Sequence, residues 1–188
     1  MFRWFERLLW LVAVIAIGIY GLSTSELWLY QTYFNWEFTR ALELPVRAAP
    51  PEHVVPYTAQ PLGRIEIPSI ALSAIFIEGV DAKSLRRGIG HVPGTALPGM
   101  SGNVGLSAHR DTFFRRLGEV HEGDVIQITT LESTYEYTVE STRIVDPDES
   151  VVLRDVGRPT LTLVTCYPFY YVGSAPKRFV VHASLVTE

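Results

Sequence analysis

Apolar and polar positions change rhythm twice along this chain, and the changes divide it into three parts. From Leu8 to Leu22 the apolar run is nearly unbroken, with Arg3 and Arg7 before it and Trp4 and Trp10 where interfacial aromatics belong. A spanning helix needs ~20 mostly apolar residues, so this core is short, and Ser23 to Tyr30 can extend it. A cleaved signal peptide has a similarly short core. Ser23 and Ser25 match its small-residue cleavage site poorly, however, and an uncleaved signal anchor is the better reading. By the positive-inside rule the Arg-bearing end stays in the cytoplasm and everything after Leu29 lies outside. Residues 1–30 are therefore expected to be a cytoplasmic stub and single-pass membrane anchor.

The second part, residues 31–61, reads as a stalk and linker. Glu26 to Leu44 continues the helical pattern with aromatics on all sides, Trp28, Tyr33, Trp36 and Phe38 among them. Pro45, Pro50, Pro51, Pro56 and Pro61 then rule out a helix or a central strand, so residues 45–61 are expected to be semi-rigid extended chain.

From residue 62 to 188 the rhythm becomes that of short strands. Alternation predicts strands over Gly63–Ile70, Ala71–Gly79, Asn103–His109, Asp124–Leu131, Thr134–Val145, Thr160–Cys166 and Lys177–Val186. Asp81–Arg87 is expected to be a short helix, and the glycine- and proline-rich residues 88–102 a loop. Asp111 or Thr112 is placed to cap a helical turn carrying Phe113, Phe114 and Leu117. Seven or eight short strands with brief helices make this a mostly β domain, an antiparallel barrel or a sandwich.

Composition narrows the function. Charged residues are 19% of the chain, hydrophobic ones 47%, and the net charge is −4 with no basic stripe, so a core forms and nucleic acid is excluded as a partner. The single cysteine, Cys166, rules out an intrachain disulfide. His53, His91, His121 and His182 show no metal-ligand spacing, so no metal or other cofactor is expected. Arg86-Arg87 and Arg115-Arg116 read as solvated charge pairs.

Candidate chemistry gathers at strand ends. Cys166 ends the run Thr-Leu-Thr-Leu-Val-Thr-Cys, and Arg178 begins Lys-Arg-Phe-Val-Val-His-Ala after a loop containing Pro168, Gly173 and Pro176. If those strands pair, Cys166 and Arg178 meet at one rim, and His109, ending another strand, can share it. A thiolate is the attacking form of cysteine, histidine carries protons near neutral pH, and arginine can stabilise an oxyanion. Arg110 is the alternative oxyanion donor, but on a persisting strand it would face away from His109. Tyr167, Phe169, Tyr170 and Tyr171 suit either a substrate groove or a hydrophobic loop anchor.

Thr162-Leu163-Val164-Thr165-Cys166 resembles the TLxTC motif of the sortase family, with Arg178 on the next strand where sortases place their arginine. Ser107-Ala108-His109-Arg110-Asp111-Thr112 resembles the family's histidine segment, with Ala108 where many relatives have glycine. The run Cys166 to Phe179 is most similar to the class D branch, and the resemblance extends from Leu62 to about Val186. It implies a closed eight-stranded β-barrel carrying Cys166 as nucleophile, His109 as general acid/base and Arg178 as oxyanion and substrate stabiliser. It also implies a groove that includes Ala108, Thr165 and Tyr167. The implied reaction is cleavage of an LPxTG-like sorting signal on a surface protein through a Cys166 thioester, then transfer to an amine of the cell wall or of another protein. Two other functions compete with it: a non-catalytic membrane-tethered domain binding peptide or wall material, and a hydrolytic cysteine peptidase.

Overall fold

In Gly63–Ile67, Ile65 and Ile67 point one way and Arg64 and Glu66 the other, the pattern of a strand with one face in a core. The computed structural model, which describes residues 2–43 and 61–186, builds on this pattern throughout. Helix α1 (Phe2–Glu43) comes first, then β1 (Pro61–Ile67) and β2 (Leu72–Glu78), joined by a 3-10 turn at Pro68–Ile70. Helix α2 (Ala82–Arg87) follows, and then β3 (Ile89–His91), β4 (Asn103–Ser107), β5 (Val125–Thr129), β6 (Thr134–Val145), β7 (Thr160–Tyr167) and β8 (Lys177–Leu185). The eight strands close a barrel in the order β1-β2-β3-β4-β7-β8-β6-β5. Ile65, Ile67, Phe76, Leu106, Ile128 and Leu163 are among the side chains that fill it. Each buried side chain of this size contributes ~1.5–3 kcal/mol.

Three sequence expectations are corrected. The barrel is not purely antiparallel, because β2 pairs with β3 in parallel and so does β4 with β7. Residues 88–102 are not all loop, since Ile89–His91 is the strand bridging β2 and β4. Pro61 is not linker but the first residue of β1, while residues 45–60 of the expected linker lie outside the described residues.

Helix α1 has two different halves. Arg3–Gly21, of mean hydropathy 1.5, is long and apolar enough to cross a membrane, and none of it is buried in the protein. Beyond Leu27 the helix lies along the barrel wall, where Phe38 packs on Ile75 and Ile77. The Gln31 side chain accepts from the Ile75 N–H (3.0 Å) and donates to the Arg87 carbonyl (2.7 Å). It thereby satisfies backbone groups just ahead of the short β2–β3 ladder, which begins at Phe76 and Ile89. Gly88 permits this approach, because a Cβ there would sit 2.9 Å from the Ile75 carbonyl oxygen and 3.3 Å from the Gln31 amide. The aromatics of this half, read in sequence as surrounding the helix, thus include one that is buried against the barrel.

Candidate active site

Strand β7 begins as a run covered on both faces: Thr160, Leu161, Thr162 and Leu163 are all buried, Leu161 and Leu163 in the barrel core. Thr162, on the other face, donates to Asn103 Oδ1 (2.9 Å). The strand emerges from cover at its end, where Cys166 is half-buried. Antiparallel pairing with β8 sets Cys166 directly opposite Arg178.

The histidine arrives from β7's other neighbour. Strand β4 runs parallel to β7 with Ser107 opposite Val164. The contact continues past the strand end, where Ala108 N–H donates to the Val164 carbonyl (3.3 Å) and Thr165 Oγ1 donates to the Ala108 carbonyl (2.8 Å). Carried one residue further, this register would set His109 level with Cys166. The cysteine strand therefore lies between the two strands that supply His109 and Arg178, and all three side chains are half-buried at one rim. Arg178 Nη1 donates to the carbonyls of Lys177 (3.0 Å) and Ala175 (3.3 Å), which steady its guanidinium.

Arg110, His91 and His182 are engaged elsewhere. Strand β4 stops at Ser107, so Arg110 sits in a turn and not on a strand. Its guanidinium donates to the carbonyls of Pro168 (3.1 Å), Tyr171 (2.7 Å) and Gly173 (3.0 Å), clamping the β7–β8 loop. His91 is spent on Glu78 (2.8 Å) and the Ala96 carbonyl (3.0 Å), and His182 on Thr162 (3.1 Å). The turn after His109 is held by backbone bonds from Phe114 to the His109 carbonyl (3.2 Å) and from Arg115 to the Thr112 carbonyl (3.3 Å). No group of three or more metal-binding side chains occurs among the described residues.

The expected groove residues divide. Ala108 and Thr165 are 4% and 2% exposed, so they form the wall behind the rim and not its surface. Tyr167 is half-buried in a three-ring cluster, edge-on to Phe169 (5.8 Å) and stacked with Phe179 (6.3 Å). Phe169 presses on Gly118, where a Cβ would stand 2.6 Å from its ring. Tyr167 and Phe169 are thus packed against neighbouring rings and backbone, whereas Tyr170 and Val172 stand almost free in solvent. The clamping role of Arg110 and the tie made by Thr165 were not apparent in the sequence, which carries no local signal for either.

The arrangement offers a thiol nucleophile, an imidazole and a fixed cation on rigid strand ends, the equipment of covalent acyl transfer. A family model described as the sortase domain matches residues 65–186. The chain is 41% identical over 133 residues to Sortase D of Bacillus subtilis, covering 70% of this chain and 67% of that protein. It is 33% identical over 131 residues to Sortase A of Bacillus anthracis, covering 68% of this chain and 60% of the relative. Among solved structures, sortase C-1 from Actinomyces oris superposes with a TM-score of 0.64 at 36% identity, covering 68% of this chain and 75% of that one. A Clostridium perfringens Sortase D5 transpeptidase superposes over 84% of this chain and 99% of its own, with a TM-score of 0.71 at 24% identity, a likeness of fold. With the family model spanning well over half of its length, and the same closed barrel beneath it, this chain belongs to the sortase family of transpeptidases.

Proposed function

We propose that this sortase is held in the cell membrane by the first half of α1, with its barrel outside, and cleaves an LPxTG-like sorting signal on surface proteins. The Cys166 thiolate attacks the carbonyl carbon of the Thr–Gly or Thr–Ala bond. Arg178 stabilises the oxyanion, and His109 gives a proton to the leaving amine as the C–N bond breaks, leaving a thioester on Cys166. An amine from a cell-wall peptide or a protein subunit then attacks the thioester. It yields its proton to His109 as the C–S bond breaks, which restores the thiolate.

The observation that carries this reading is the pairing of Cys166 with Arg178 on β8, with the parallel contact to β4 on the other side. Cys166→Ala should abolish cleavage of a sorting peptide while the fold persists, because the change is small and lies at a strand end. Intact-mass measurement on the wild-type protein should trap the acyl thioester. Arg178→Lys keeps charge but loses the planar fork, and single-turnover acylation should fall by a factor on the order of 10²–10³. Turnover retained by Cys166→Ala would overturn the covalent mechanism, and wild-type acylation by Arg178→Lys would make the arginine structural.

A further inference from the structure

The barrel lies along α1 in a definite direction. Near Leu27, the 3-10 turn at Pro68–Ile70 and the Asp111–Arg116 turn that follows His109 meet the helix, and together they line a groove of about 470 Å³. The two turns are tied by Arg116 Nη1, which donates to the Ile70 carbonyl (2.8 Å). The other end of the barrel, where Pro61 opens β1 and Leu131 follows β5, meets α1 at Tyr33–Ala41. The rim bearing Cys166, His109 and Arg178 is therefore at the Leu27 end. Gly21 closes the candidate span, and Leu27 is six residues on, about 9 Å along a helix.

We infer that the active-site end of the barrel rests on the phospholipid headgroup layer of the bilayer holding α1, through the edge formed by Leu27, Ile70–Leu72 and Phe113–Arg116. The chemistry of this edge fits that layer. Its floor is apolar, made by Leu27, Ile70, Leu72 and Phe113. Arg115, exposed beside it, makes no ion pair among the described residues and can meet a lipid phosphate. Arg116 is paired with Glu119 (2.7 Å), and Asp111 offsets part of the remaining charge, so the fit is amphipathic and not simply cationic. Trp28, 66% exposed at the same level of α1, is the residue type that settles at a membrane interface. The donor peptide and the acceptor amine would then both have to reach Cys166 along the bilayer surface.

This inference rests on the anchor reading, and one experiment separates the two. The full chain with Cys166→Ala and a single added cysteine at Thr112→Cys or Leu131→Cys is spin-labelled and placed in phosphatidylcholine–phosphatidylglycerol nanodiscs containing nickel-chelating lipid headgroups. The label at 112 should be relaxed several-fold more strongly than the label at 131, and Arg115→Glu should weaken that relaxation. Equal relaxation at both sites would overturn the membrane-facing rim while leaving the anchor intact. A chain that fails to enter the nanodisc would overturn the anchor, and this inference with it.

Discussion

His182 shows how one side chain links the barrel wall to solution conditions. It lies on β8 against Thr162, where burial first and then Arg143 hold its pKa below the ordinary value of 6.5, with Glu140 pulling the other way. The folded protein thus takes up this proton less readily than the unfolded chain. Its contribution to stability is complete above pH 6.5 and is lost as the pH falls toward the lowered folded pKa. Urea midpoints measured at steps below neutrality should decline more steeply for the wild type than for His182→Gln. Parallel declines would mean that His182 does not set the acid limb. Sequence could place this histidine on a strand, but nothing local shows that Thr162 and Arg143 flank it, because both come from other strands.

At the scale of elements, legibility follows the way each strand is buried. β6 is plain in the sequence because one face is wet, and Tyr135, Tyr137 and Val139 alternate with polar residues. β7 is plain because it is a β-branched and leucine run bounded by turns. β3 is hidden: it is three residues long, contains Gly90, and is held by neighbours on both sides and not by its own propensity. The rim was legible as far as strand ends carry it. What was not legible is the clamp, since Arg110 reaches carbonyls some sixty positions away. Charged-donor bonds are worth ~1.5–3 kcal/mol when buried and less at a half-exposed site such as this. Arg110→Ala should therefore speed cleavage of residues 169–173 by limiting protease on the order of tenfold, equivalent to ~1.4 kcal/mol of local opening. The global urea midpoint should hardly move. Unchanged cleavage would mean that Tyr167, Phe169 and Phe179 hold the loop without the arginine.

For the whole molecule, closure matters more than any single strand. Two parallel pairings within a barrel demand long crossovers, from β4 to β7 above all, and these bring the segment carrying His109 beside the strand that ends at Cys166, 57 positions later in the chain. Such a site forms only when the barrel is complete. Helix α1 is part of that completeness, since Gln31 and Phe38 finish a wall that the strands leave raw. A soluble barrel cut to begin at residue 61 would therefore be a damaged object and not a simplified one. It would open the Ile75 N–H and the Arg87 carbonyl to water and strip the cover from Ile75 and Ile77, whose burial is worth ~1.5–3 kcal/mol each as an upper bound. Preparations starting at Leu27 should melt higher and stay monodisperse, whereas those starting at Pro61 should melt lower and self-associate through the bared wall. Calorimetry and light scattering on the two would show it, and matching behaviour would mean that the helix rests on the barrel without stabilising it. Truncation at the domain boundary, the usual first step in making such an enzyme tractable, would then remove a working part of the wall along with the candidate membrane span.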